Sequence, residues 1–245
     1  LQKAPWRIFP EIYEDIEAQG LGNPQVYLPM INESMPIHPV DATYAGIGSD
    51  IDYLTGTCLD EGNLFDALGV SPFESRSEQL LKTFSIKKED LLRSYLSARP
   101  ELNPEEAATT MSADMWFRVP TIRIAEGHTV RSKAKTYMYL FTWESQFLGA
   151  THAMDGVVFG NGAPFSLLAG FNSPERVSQQ MRKSWVNFAK YGDPSFDKFR
   201  WPEYEQNQRF TASINDSFSL LTDPYSKQRV LLEPVLTANW LDSGL

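Results

Sequence analysis

Cysteine is nearly absent. Cys58 is the single one in 245 residues, which excludes an internal disulfide and a zinc site built on several thiolates. Long apolar runs are missing too. No stretch approaches the ~20 residues of a membrane-spanning helix, and the start carries no signal-peptide pattern. Positive charge is scarce: 22 Lys and Arg stand against 31 Asp and Glu, a formal charge of −9, and no run of adjacent basic residues exceeds three. Nucleic acid and anionic membrane are therefore poor partners for this chain. What is present is ordinary globular material. At 42% hydrophobic, 245 residues suffice for one large domain or two small ones. The first residue is Leu1 rather than Met and amphipathic sequence follows at once, the pattern of a chain cut at its amino end.

One stretch organises the rest. Tyr137 to Trp143 is almost entirely aromatic or β-prone and reads as a strand buried on both faces. A polar loop, Gly149 and His152 follow, so the imidazole is expected just beyond the carboxyl end of an interior strand, where open α/β sheets place their chemistry. Histidine titrates near neutral pH and can take and return a proton, which makes His152 a candidate general base. On position alone, a loop histidine bonded to a nearby carbonyl is an equal alternative.

The remaining chain is read in order. Trp6 to Ala18 carries Ile8, Ile12 and Ile16 at four-residue spacing and suits a short surface helix ended by Gly20 and Gly22. Prolines at 24, 29, 36 and 39 make Asn23 to Tyr44 an extended loop, with His38 a structural residue in it. Ile51 to Thr57 is expected to be a short strand followed by a Leu-Asp-Glu-Gly turn, in which solvated Asp60 and Glu61 would be the commoner outcome. Cys58 in this strand context reads as a buried, inert thiol. Helices follow over Lys87 to Ser97 and from Asn103, whose side chain, Pro104 and Glu106 make a strong start signal. The second is expected to stop before Pro120, Ile122 to Ala125 to form another helical turn, and His128 to sit solvated in a Gly127-His-Thr linker. Ser173-Pro-Glu opens the clearest helix, with Val177, Met181, Trp185, Phe188 and Ala189 on its apolar face and Gly192 at its end. Arg209 to Leu221 alternates weakly and reads as one edge strand. Together these give one α/β unit over 1–245, strands and crossover helices without an internal boundary.

Four spaced segments resemble one family in its own order. Gly56-Thr-Cys-Leu-Asp60-Glu61-Gly62-Asn-Leu-Phe65 is similar to the acid loop of type-B carboxylesterases, the α/β-hydrolase family that includes cholinesterases and bacterial para-nitrobenzyl esterases. Thr151-His152-Ala-Met-Asp155-Gly-Val-Val-Phe159-Gly160 resembles its histidine loop. Ala113 to Pro120, and Trp185 to Pro194 with Trp201-Pro-Glu-Tyr204, are similar to its intervening and closing helices. The resemblance implies the carboxyl-terminal portion of an α/β-hydrolase fold, a mostly parallel sheet flanked by helices and incomplete without an amino-terminal half. It also implies Glu61 as the acid and His152 as the base of a Ser-His-Glu triad, Phe65 in the acyl pocket and Asp155 behind the histidine, with no cofactor or metal. The substrate would be a small carboxylic ester.

The departures are as informative. Neither a Gly-x-Ser-x-Gly nor a His-Gly-Gly-Gly type stretch occurs, so the nucleophile and oxyanion hole of such an enzyme lie outside these residues. Gly156-Val157 replaces the more usual apolar-Pro pair after Asp155. The other readings are a non-catalytic binding or adhesion member of the family and an inert truncated product. Retained Glu61 and His152 favour the enzyme. The scarcity of cysteine is compatible with a bacterial or cytosolic setting.

Overall fold

The structure, a computed structural model, describes residues 31–69, 74–159, 168–170 and 174–234. By contacts the chain divides into two units, Leu1–Ile37 and His38–Leu245. In the first, the helix expected over Trp6 to Ala18 lies outside the described residues, as does the loop from Asn23 to Met30. Asn32 and Met35 close a turn through paired backbone bonds of 3.0 and 3.1 Å.

The second unit opens on a helix where an extended loop was expected. Helix α1, Pro39–Tyr44, forms because Pro39 stands in the first turn, where its fixed φ and missing N–H cost nothing, and His38 Nδ1 accepts the Val40 N–H at 3.3 Å. Strand β1, Tyr53–Cys58, and the short helix α2, Asn63–Ala67, follow. Then come α3, Glu74–Thr83, and α4, Lys88–Ala98. Helix α5, Pro104–Trp116, starts on a complete capping box: Asn103 accepts the Glu105 and Glu106 N–H groups and Glu106 answers with a bond to the Asn103 N–H.

Helix α5 ends at Trp116, before Pro120 as expected, and helix α6, Arg118–Arg131, takes in the helical turn expected over Ile122 to Ala125. Pro120 itself falls within the first turn of α6, where backbone N–H groups have no helical partner to lose. The Gly127-His-Thr segment is not the linker that was expected: it lies within α6. A Cβ at that position would stand 2.2 Å from Thr43 Oγ1, so the glycine lets α6 pack closely on α1. His128 is consequently buried at 6% exposure, and its Nδ1 shares a 2.7 Å hydrogen bond with Thr136 Oγ1.

Strand β2, Thr136–Phe141, is buried nearly throughout. A 3₁₀ turn, Met154–Phe159, and helix α7, Glu175–Tyr191, lead to β3, Phe210–Ile214, β4, Ser219–Thr222, and a last helix α8, Ser226–Leu231. The sheet order is β1-β2-β3-β4, with the first two pairings parallel and β3–β4 antiparallel. The single edge strand expected over Arg209 to Leu221 is thus a hairpin: Asn215, Asp216 and Ser217 turn the chain, β3 is interior, and β4 lies at one end of the described sheet.

Helices cover both faces of β2, which explains why it has no polar face. Met138 joins a core with Leu91, Tyr95, Met111, Met115 and Ile122 of α4 to α6. Phe141 joins Val177 and Met181 of α7, together with Ala150, Met154 and Val157 from the histidine loop and the turn after it. Beneath α4 to α6 a buried charge cluster ties three helices together: Tyr95 and Arg118 both bond the Asp114 carboxylate, and the Arg118 guanidinium lies 5.1 Å from the Tyr225 ring centre. The cap of α5 is the most local of these elements. Asn103→Ala is expected to cost about 1 kcal/mol and Asn103→Asp only a few tenths, read from the shift in denaturant midpoint; an Ala variant as stable as the parent would contradict the cap.

Candidate functional site

The site begins with strand pairing. β1 and β2 run in parallel with Cys58 opposite Phe141, so their carboxyl ends finish side by side and the turns that follow meet. Leu59 N–H donates to Phe141 O at 2.9 Å, and Asp60 pairs with Thr151 in a short parallel bridge. The acid turn and the histidine loop are thus one continuation of the sheet. Neither acidic residue is the solvated turn residue that an Asp-Glu-Gly triplet usually is: Asp60 is 3% and Glu61 7% exposed.

The two carboxylates have separate tasks. Glu61 Oε1 accepts the Cys58 N–H at 2.7 Å, which turns the side chain back over its own strand end. Its Oε2 lies 2.7 Å from His152 Nδ1. Asp60 faces away from the ring: Oδ2 accepts the Ala150 N–H at 2.9 Å, and Oδ1 is bonded by the Arg99 guanidinium. Each buried negative charge therefore meets donors or a cation, as burial requires.

His152 is half-exposed, with Nδ1 against Glu61 and two aromatic rings packed beside the imidazole. Phe65 and Phe117 have ring centres 5.2 and 5.0 Å from the imidazole, both tilted, and stack on each other at 6.3 Å. The hydrogen bond to Glu61 raises the imidazole pKa above its ordinary value; burial opposes this, while the charges of Glu61 and Asp155 assist. With Nδ1 engaged by the carboxylate, Nε2 is the nitrogen that remains to exchange a proton. A base held this way, its tautomer fixed and its cation stabilised, is suited to general acid–base work.

Asp155 is placed one turn further on, where its Oδ2 accepts the Tyr139 hydroxyl at 2.8 Å. Burial and this carboxylate push the Tyr139 phenol well above its usual range. Asp155 acts on the imidazole through its charge. Cys58 is 2% exposed, and burial, with Asp155 and Glu61 nearby, drives its thiol up, away from the thiolate needed for a nucleophile. Among the described residues no group of three or more His, Cys, Asp or Glu side chains is placed to hold a metal ion, and no helix is long and apolar enough to cross a membrane.

Sequence reasoning missed Phe117 and Arg99. Phe117 sits at the junction of α5 and α6, and nothing local shows that this junction turns the ring toward a residue 35 positions on. Arg99 caps α4, and its charge finds Asp60 only through the packing of that helix.

Comparison with known proteins decides the family. The model of the carboxylesterase family matches residues 1–232. The chain belongs to the carboxylesterase family. It is 29% identical over 215 residues to the para-nitrobenzyl esterase of Bacillus subtilis (strain 168), covering 82% of this chain and 42% of that one. To human bile salt-activated lipase it is 29% identical over 195 residues, 69% of this chain and 26% of the lipase. Among solved structures, a thermophilic para-nitrobenzyl esterase superposes with a TM-score of 0.72 at 22% identity, over 94% of this chain and 49% of its own. A carboxylesterase of Geobacillus stearothermophilus gives 0.68 at 24% identity, over 87% and 47%. These structural likenesses show the fold, part of an α/β-hydrolase. The chain spans less than half the length of these carboxylesterase relatives.

The geometry fixes the direction of a pH effect. Because Glu61 favours the charged imidazole, His152 in the complete protein is expected to titrate above the ordinary value of about 6.5. Glu61→Gln removes the charge and brings the midpoint down toward that value. NMR of the ring protons against pH measures both, and a midpoint at or below the ordinary value in the parent protein would contradict the pairing.

Proposed function

We propose that this chain is the carboxyl-terminal part of a single carboxylic ester hydrolase domain and supplies the acid and the base of its catalytic triad. The observation that carries the reading is the buried Glu61 carboxylate 2.7 Å from Nδ1 of a half-exposed histidine, on turns after two adjacent parallel strands. Membership of the carboxylesterase family and relatives named as esterases and a lipase support ester bonds as the target.

In this mechanism His152 Nε2 removes the proton from a serine hydroxyl as its oxygen attacks the ester carbonyl. Glu61 stabilises the imidazolium that forms and remains ionised. The imidazolium then protonates the departing alcohol, leaving an acyl-enzyme. In the second half His152 takes a proton from water, which attacks the acyl group, and returns it to the serine as the acid product leaves. The serine and the donors that stabilise the oxyanion belong to an amino-terminal half, since no Gly-x-Ser-x-Gly occurs in these residues. Phe65 and Phe117, packed at the base, favour substrates with apolar acyl groups. Residues 1–245 alone are then without ester hydrolase activity, because His152 has nothing to activate.

Mutant kinetics on the complete protein test the roles. His152→Ala is expected to lower kcat by ~10³-fold or more, because only binding and oxyanion stabilisation remain. Glu61→Gln should lower it far more than Asp60→Asn, since Asn keeps an oxygen for the Ala150 N–H. Equal losses for Asp60→Asn and Glu61→Gln would show that the acid has been assigned to the wrong carboxylate.

A further inference from the structure

We propose that Asp60 and Arg99 are positioning residues that set the reach of His152 toward Glu61. The proposal rests on the ester-hydrolase reading for its kinetic consequence, but its structural content stands on the clamp itself. Asp60 holds the histidine loop at one residue from both sides: its backbone N–H donates to Ala150 O and its Oδ2 accepts the Ala150 N–H, each at 2.9 Å. Ala150 is two residues before His152, and Asp60 is the neighbour of Glu61. The clamp therefore fixes the two partners of the acid–base pair through their adjoining backbone.

Three further features show that this clamp is built rather than incidental. Gly149 has a φ of +62°, and a Cβ there would stand 2.5 Å from Asp60 Oδ2, so the absence of a side chain lets the carboxylate approach the loop. Asn63, two residues beyond Glu61, donates from Nδ2 to Leu148 O at 3.0 Å and pins the loop two residues before Ala150. The remaining Asp60 oxygen is bonded by Arg99, itself 8% exposed and held on its other side by Glu101 at 2.8 Å. Burial opposes the charge of Arg99, yet Asp60 and Glu101 hold its pKa above the ordinary arginine value.

The consequence for chemistry follows from geometry. Remove Arg99 and Asp60 is left buried without its cation, so it must move toward water or neutralise. Either response loosens the bond to the Ala150 N–H and lets the backbone before His152 drift. A misplacement of about 1 Å in a catalytic group can cost on the order of 10²-fold in rate, while groups that bind substrate are untouched. Arg99 thus acts on kcat through Asp60, Ala150 and His152 in sequence.

The test uses the complete protein, ester kinetics and the downfield proton resonance of the His152 Nδ1–H, which reports the bond to Glu61. Arg99→Gln is expected to lower kcat by about tenfold or more with KM within about twofold, and to broaden or abolish the resonance. Arg99→Lys, which keeps the cation, recovers most of both. Arg209→Gln serves as the control. It breaks a partly buried pair with Glu126 at the other end of the sheet and is expected to lower the unfolding temperature without moving the resonance. Should Arg99→Gln fail to fold, Gly149→Ala disturbs the same clamp from the opposite side and is expected to reproduce the kinetic and spectral changes. Arg99→Gln or Gly149→Ala with parental kcat and an intact resonance would overturn the proposal, leaving Arg99 a merely stabilising residue. Absence of ester turnover in a parent protein that still shows the resonance, and loses it in Arg99→Gln, would instead overturn the hydrolase reading and keep the clamp.

Discussion

Everything at the candidate site depends on the parallel register of β1 against β2. With Cys58 opposite Phe141, the two chains leave the sheet at the same level, and residues 91 apart in sequence arrive at hydrogen-bond distance. Side chains alternate along a strand, so a shift of one residue in this pairing would turn Tyr139 and Phe141 from the α7 side of the sheet to the α6 side and carry His152 away from Glu61. The register is secured by what β2 buries. Met138 reaches one core and Phe141 the other.

Burying charge next to this register is costly, and the structure meets that cost by pairing. Glu61 has a backbone donor and the imidazole, Asp60 has a backbone donor and Arg99, and Asp114 has Tyr95 and Arg118. Such pairs add little net stability compared with apolar packing, but each becomes strongly destabilising when one partner is removed. Their value lies in geometry. A carboxylate fixed by two contacts can hold an imidazole in one tautomer, which a freely rotating exposed one cannot.

Much of this was legible because it is local. The capping box at Asn103, the Gly192 end of α7 and the β-rich run before His152 are written in neighbouring residues, and the structure places elements there. The resemblance of the Glu61 and His152 loops to one family brought those two residues forward, though the exposure of Glu61 could not be read from an Asp-Glu-Gly triplet. The misreadings share a cause. Gly127 and Pro39 read as breakers by residue type, whereas their effect depends on position in the turn and on what packs against them. His128 followed Gly127 into error, since a buried histidine partnered by Thr136 looks in sequence like any loop histidine. Arg99 and Phe117 were invisible for the opposite reason: their partners are 39 and 35 residues away and meet them only through tertiary packing.

The proposed function divides the triad, with the acid and base in this chain and the nucleophile outside residues 1–245. The most direct measurement is to treat the complete protein with a fluorophosphonate ester, which modifies the serine that the base activates, and to map the labelled residue by mass spectrometry. The expected result is stoichiometric label on one serine outside residues 1–245, formed at a rate that collapses in His152→Ala. Label on any serine within residues 1–245, or labelling at the parental rate in His152→Ala, would contradict it.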